Sequence, residues 1–85
     1  MTNENTTIKG LVDKLTTDFI LGALHVNDCA DGKDANRNRV NYGIVTEAAK
    51  ILRLLGQEVE AACWEDNGYL RISKYIINGK TTEIH

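Results

Sequence analysis

Apolar residues recur with helical spacing over the first third of the chain. At about 100° per residue, Ile8, Leu11, Val12, Leu15, Phe19, Ala23 and Val26 fall on one face, with Lys9, Asp13, Lys14 and Thr17 outside it. The spacing predicts an amphipathic helix from Thr7 to about Val26. Gly10 and Gly22 weaken it, and Thr16-Thr17-Asp18 has the chemistry to cap a second helix, so one or two N-terminal helices are expected. Ile20, Leu21 and Leu24 lie off the main stripe and make FILGALHV apolar nearly all round, as in a helix covered on more than one side. In a small protein that second cover is expected to be another subunit.

A second helical pattern runs from about Gly43 to Leu55, with Ile44, Val45, Ala48, Ala49, Ile51, Leu52 and Leu55 on a broad apolar face and Thr46, Glu47, Lys50 and Arg53 opposite. Leu54 stands among the charged residues. Gly56 follows where a left-handed C-terminal cap belongs. Between the two patterns, the seventeen residues Asn27 to Gly43, NDCADGKDANRNRVNYG, are nearly all polar and predict a long polar loop. Long loops in compact domains are commonly working surfaces.

From Glu58 onward, Asn67-Gly68 and Asn78-Gly79 mark two type I′ hairpin turns and hence a three-stranded antiparallel meander. With two-residue turns, Trp64 opposes Arg71, Cys63 opposes Ile72, Val59 opposes Ile76, Tyr75 opposes Thr82 and Lys74 opposes Glu83. Val59, Ala61, Cys63, Leu70, Ile72 and Ile76 then face the helices, and Ala62, Trp64, Tyr69, Arg71, Ser73, Tyr75 and Ile77 face away. The expected fold is α+β in a single small domain over residues 1–85, with residues 1–6 as a disordered tail.

The composition is that of an ordinary globular chain: 42% hydrophobic and 26% charged, with ten basic against twelve acidic residues. That balance argues against intrinsic disorder and supplies no bulk positive charge for nucleic acid or an anionic membrane. No apolar run could span a bilayer and no secretory signal is read, so the expected location is cytoplasmic. Cys29 and Cys63 lack the paired short spacing of a zinc site or a disulfide framework; both are expected reduced, with Cys63 buried.

Candidate chemistry is sparse. Aligning Gly32 with the glycine of an EF-hand loop puts Cys29 at a ligand position and Asn38 where a bidentate Glu is needed; starting at Asp34 replaces the glycine by Arg39. No metal is expected. Catalysis fares no better: Ser73 is the only serine, His25 lies in the apolar helix and no nucleophile-base grouping can be assigned, so the protein is expected to be no enzyme and to hold no cofactor.

The stronger signal is the aromatic sheet face. Trp64, Tyr69, Arg71 and Tyr75 are of the types enriched at interaction hot spots, with Arg71 placed to stack on Trp64. These four are the expected partner-binding residues. The leading expectation is thus a small regulatory or inhibitory interaction protein that binds another protein through this face and the polar loop, and self-associates as a homodimer or larger homo-oligomer. The alternative is a winged-helix-like nucleic-acid binder, in which Lys33, Arg37, Arg39, Lys50 and Arg53 contact phosphates or set specificity and the Asn67-Gly68 hairpin is the wing. Glu65 and Asp66 at the wing tip oppose it.

Overall fold

A computed structural model describes residues 4–84. Two helices, α1 (Glu4–Asp31) and α2 (Ala35–Leu54), form a hairpin that packs on one face of a meander of β1 (Val59–Asp66), β2 (Tyr69–Ile77) and β3 (Lys80–Glu83), in the order β1-β2-β3. This is the expected α+β layout. The expected tail falls partly outside the described residues, and residues 4–6 already belong to α1. No described helix is long and apolar enough to cross a membrane.

α1 is unbroken where a second helix start was possible. The Thr16 and Thr17 hydroxyls donate back to the carbonyls of Val12 (2.7 Å) and Asp13 (3.0 Å), so they are satisfied inside one helix and cap nothing. At Gly22 α2 comes close: a Cβ there would lie 2.8 Å from Cγ2 of Val45.

The expected loop from Asn27 to Gly43 is a correction. α1 runs on to Asp31 and α2 begins at Ala35, leaving Gly32, Lys33 and Asp34 as the whole connection. Lys33 takes the left-handed conformation (φ 57°); its N–H donates to the Ala30 carbonyl (3.1 Å) and that of Asp34 to Cys29 (2.9 Å), closing α1 with paired C-terminal bonds. The Asp34 carboxylate then accepts the Arg37 N–H at 3.1 Å and opens α2. Asn and Asp favour turns only while their side chains bond locally, and two of these asparagines bond to the sheet instead.

The core joins Phe19, Ala23 and Val26 of α1 to Val45, Ala48, Ala49 and Leu52 of α2 and to Val59, Ile72 and Tyr75 of the sheet. Asn67 and Asn78, each followed by a glycine, have positive φ as type I′ turns require, and Gly56 (φ 89°) closes α2 through Gln57 N–H to Leu52 O, 2.9 Å. Trp64–Arg71, Cys63–Ile72, Tyr75–Thr82 and Lys74–Glu83 pair as expected. Val59 does not: it opposes Ile77, because a bulge between Ala62 and Cys63 leaves Ser73 as an extra residue on β2. One extra residue reverses the alternation beyond it. Tyr75, expected outside, is therefore 9% exposed and meets Phe19 edge to face at 5.7 Å, and Ile77 rather than Ile76 packs against the core.

Candidate interaction surface

The four aromatic-face residues separate. Trp64 is 50% exposed. Tyr69 is half-buried, its hydroxyl donating to the Lys33 carbonyl at 3.3 Å. The Arg71 guanidinium lies between Asp31 and Asp66, 2.9 Å from each carboxylate, and the two anions hold it protonated above its ordinary range. With Tyr75 in the core, the cluster reduces to one accessible indole beside a saturated ion-pair network.

The basic set divides as well. Arg53 Nε donates to the Val59 carbonyl at 2.8 Å, tying the end of α2 to the start of β1. Arg37 sits 3.6 Å from Asp34. Arg39, Lys50 and Arg53 share one side of α2, and Arg37 falls nearly opposite Arg39. The positive end of α2 already holds the Asp34 carboxylate, which leaves it ill-suited to phosphate. Lys33 lies in the connection between the helices, in the left-handed conformation, and its carbonyl accepts from the Tyr69 hydroxyl.

The two long sides of the sheet differ sharply. β3 pairs only with residues 74–77 of β2, so the side of β2 from Tyr69 to Ile72 has no strand beside it. Two asparagines stand in for one. Asn38 accepts from Leu70 N–H (2.9 Å) through Oδ1 and donates through Nδ2 to the carbonyls of Leu70 (2.9 Å) and Val26 (2.8 Å). Asn27 does the same at Ile72, accepting from its N–H and donating to its carbonyl, both at 2.8 Å. A side-chain amide offers one acceptor and two donors, the same groups as a peptide bond, so each asparagine completes the ladder by one step.

No such closure exists along β1. Its register with β2 turns the backbone groups of Glu60, Ala62, Trp64 and Asp66 inward and those of Val59, Ala61, Cys63 and Glu65 outward. Of the outward groups, the Val59 carbonyl is taken by Arg53; no other described residue hydrogen-bonds to Ala61, Cys63 or Glu65 on that side. Beside this edge runs a cleft of about 170 Å³ between α2 and β1, where Phe19, Val45, Ala49 and Ala61 meet Tyr42, Thr46, Arg53 and Cys63. Cys63, expected buried, is exposed there, and both cysteines are free thiols. The Cys63 thiol beside it raises the Tyr42 hydroxyl above the ordinary phenol range, first by hydrogen bonding and then by charge, with burial adding to both.

The arrangement offers a row of unpaired peptide groups next to a slot of mixed polar and apolar lining, a chemistry that fits an added strand. The sequence pattern missed it because exposed peptide groups have no residue signature. Strand order was the only available signal: a meander of three strands must leave its first as an edge. Among the described residues no three His, Cys, Asp or Glu side chains gather as metal ligands would. Comparison with protein-family models, with curated proteins and with solved structures finds no match.

Proposed function

We propose that this protein is a small non-enzymatic interaction module that binds another protein by accepting an extended segment as a fourth strand on β1. The observation that carries the reading is the contrast between the sheet's two sides, one closed by Asn27 and Asn38 and the other open at Ala61, Cys63 and Glu65 beside the α2 cleft. Strand addition takes affinity from main-chain bonds and specificity from alternate side chains entering pockets. Trp64, half exposed next to the edge, supplies an aromatic anchor on the outer face of the added strand.

Charge selects the segment. Glu58, Glu60, Glu65 and Asp66 line this strand with no Lys or Arg among them, and among the described residues only Asp66 of the four finds an ion-pair partner. A second β1 laid on the first would oppose acid to acid, so the partner that fits is a basic extended segment with a small uncharged side chain for the cleft, which Arg53 also lines.

Amide hydrogen exchange tests this with two synthetic peptides, one alternating lysine with valine and one alternating glutamate with valine. The lysine peptide is expected to bind and to slow exchange at Ala61, Cys63 and Glu65. Equal binding of both peptides, or protection absent from those three amides, overturns the reading.

A further inference from the structure

The outer face of α2, turned away from the sheet, carries apolar residues that the fold does not use. Val40 is 62% exposed and Leu54 79%. Gly43 lies on this face inside the helix with nothing within 4 Å of where its Cβ would be. A glycine inside a helix weakens it relative to alanine. At Gly22 the close approach of Val45 explains the glycine; at Gly43 no contact within the chain does.

The spacing on this face is symmetrical about its centre. Gly43, Glu47, Lys50 and Leu54 stand four, three and four residues apart and fall within one narrow stripe. An antiparallel two-fold pairing of α2 with another α2 therefore sets Leu54 of each copy over Gly43 of the other, and Glu47 of each against Lys50 of the other. Neither Glu47 nor Lys50 has an ion-pair partner among the described residues; the salt bridges of the chain lie elsewhere. A two-fold contact must be self-complementary, and this stripe is so in shape, gap to knob, and in charge.

We propose that the outer face of α2 binds a second copy of this chain through this antiparallel contact, leaving the β1 edge free. The inference does not depend on the strand-addition reading, since it uses the opposite side of the helical layer. A contact confined to one helix per copy is at the small end of specific interfaces, so self-association is expected at micromolar rather than nanomolar concentration.

Sedimentation equilibrium of the whole chain across micromolar concentrations tests it. Glu47→Lys and Lys50→Glu are each expected to weaken the dimer about tenfold or more, and the two together to restore it. Gly43→Leu fills the gap; it is expected to abolish the dimer while the thermal midpoint of the separated chain holds or rises, which distinguishes a lost contact from a lost fold. A chain that stays monomeric, a dimer indifferent to these substitutions, or a double exchange that fails to restore association overturns the proposal.

Discussion

The side of the sheet along β2 and the side along β1 face the same problem, a row of peptide groups without a neighbouring strand, and the chain answers it in opposite ways. Along β2 the helices supply Asn27 and Asn38, whose amides bond Ile72 and Leu70 as a strand would. Along β1 the described residues meet only the Val59 carbonyl, through Arg53, and a cleft adjoins the rest. Natural sheets commonly blunt an edge with lysine, proline or a bulge; β1 has no lysine and no proline, and the bulged residue Ser73 is on β2. The helical layer repeats the contrast. Its inner seam is tight enough to need Gly22, whereas its outer face leaves Gly43 in open space.

The largest expected effect is on the closed side. Asn38 is 1% exposed, and Asn38→Ala would orphan both the N–H and the carbonyl of Leu70 and take from the Val26 carbonyl the bond it accepts besides its helical one. Each buried group left unpaired costs about 1–3 kcal/mol, which puts the loss at about 4 kcal/mol. That is a large share of the roughly 4–13 kcal/mol expected for a domain of this length. Asn27 is only part-buried and makes two such bonds, so Asn27→Ala is expected to cost about 2 kcal/mol. Urea unfolding with an unchanged slope measures both. Near-neutral results at both positions would mean that this edge is no more closed than the other.

These asparagines also explain what was legible in the sequence. Signals that act over a few residues were readable: the Asn-Gly turns, the cap at Gly56, and both apolar stripes as far as Val26 and from Gly43. The polar stretch between them was not, because Asn27 and Asn38 look the same in sequence whether they close turns on themselves or reach Ile72, forty-five residues away, and Leu70, thirty-two away. Tyr75 was lost to a single residue. Alternation counted from Asn67-Gly68 is right as far as Ile72, and the Ser73 bulge, which has no glycine to announce it, reverses the rest. Of Trp64, Tyr69, Arg71 and Tyr75, expected together on one open face, Trp64 is exposed, Tyr69 and Arg71 are half-buried and Tyr75 is in the core, and the open edge beside Trp64 comes from topology rather than from residue type.

A pair of prolines sharpens the contrast within β1 itself. The Trp64 N–H points into the ladder toward Arg71 and that of Cys63 points out. Trp64→Pro removes a ladder bond and is expected to cost about 3 kcal/mol, whereas Cys63→Pro keeps every ladder bond and is expected to cost about 1 kcal/mol or less. Cys63→Pro would nonetheless block an added strand, so it separates binding from stability. Similar losses at the two positions would contradict the inward and outward assignment.

Between the helices, Gly22→Ala pushes a methyl against Val45 and is expected to cost about 1–3 kcal/mol, since that seam can open only by moving one helix from the other. Gly43→Ala meets nothing and is expected to raise the stability of the separated chain by about 0.5–1 kcal/mol through helix propensity. Opposite signs at two glycines of neighbouring helices, read from urea midpoints at low protein concentration, would locate the tight and the open sides of the helical layer.

The smallest effect belongs to the cleft. Tyr42 has an ordinary pKa of 10.0, raised in the folded chain by the neighbouring Cys63 side chain, through hydrogen bonding first and charge second. Between 10.0 and the raised value the folded state holds a proton that the unfolded state has released, so the Tyr42 contribution is fully present below 10.0 and is lost as pH climbs through the folded value. Stability is therefore expected to fall more steeply above about pH 10 in the native chain than in Tyr42→Phe, and Cys63→Ala is expected to flatten the slope in the same way. Asn27→Ala is expected to lower the whole curve without changing that slope, because the amide on the closed side does not titrate. Urea midpoints followed upward from about pH 9 would distinguish the two behaviours. A slope that moves with Asn27 and not with Cys63 would place the titrating contact on the wrong side of the sheet.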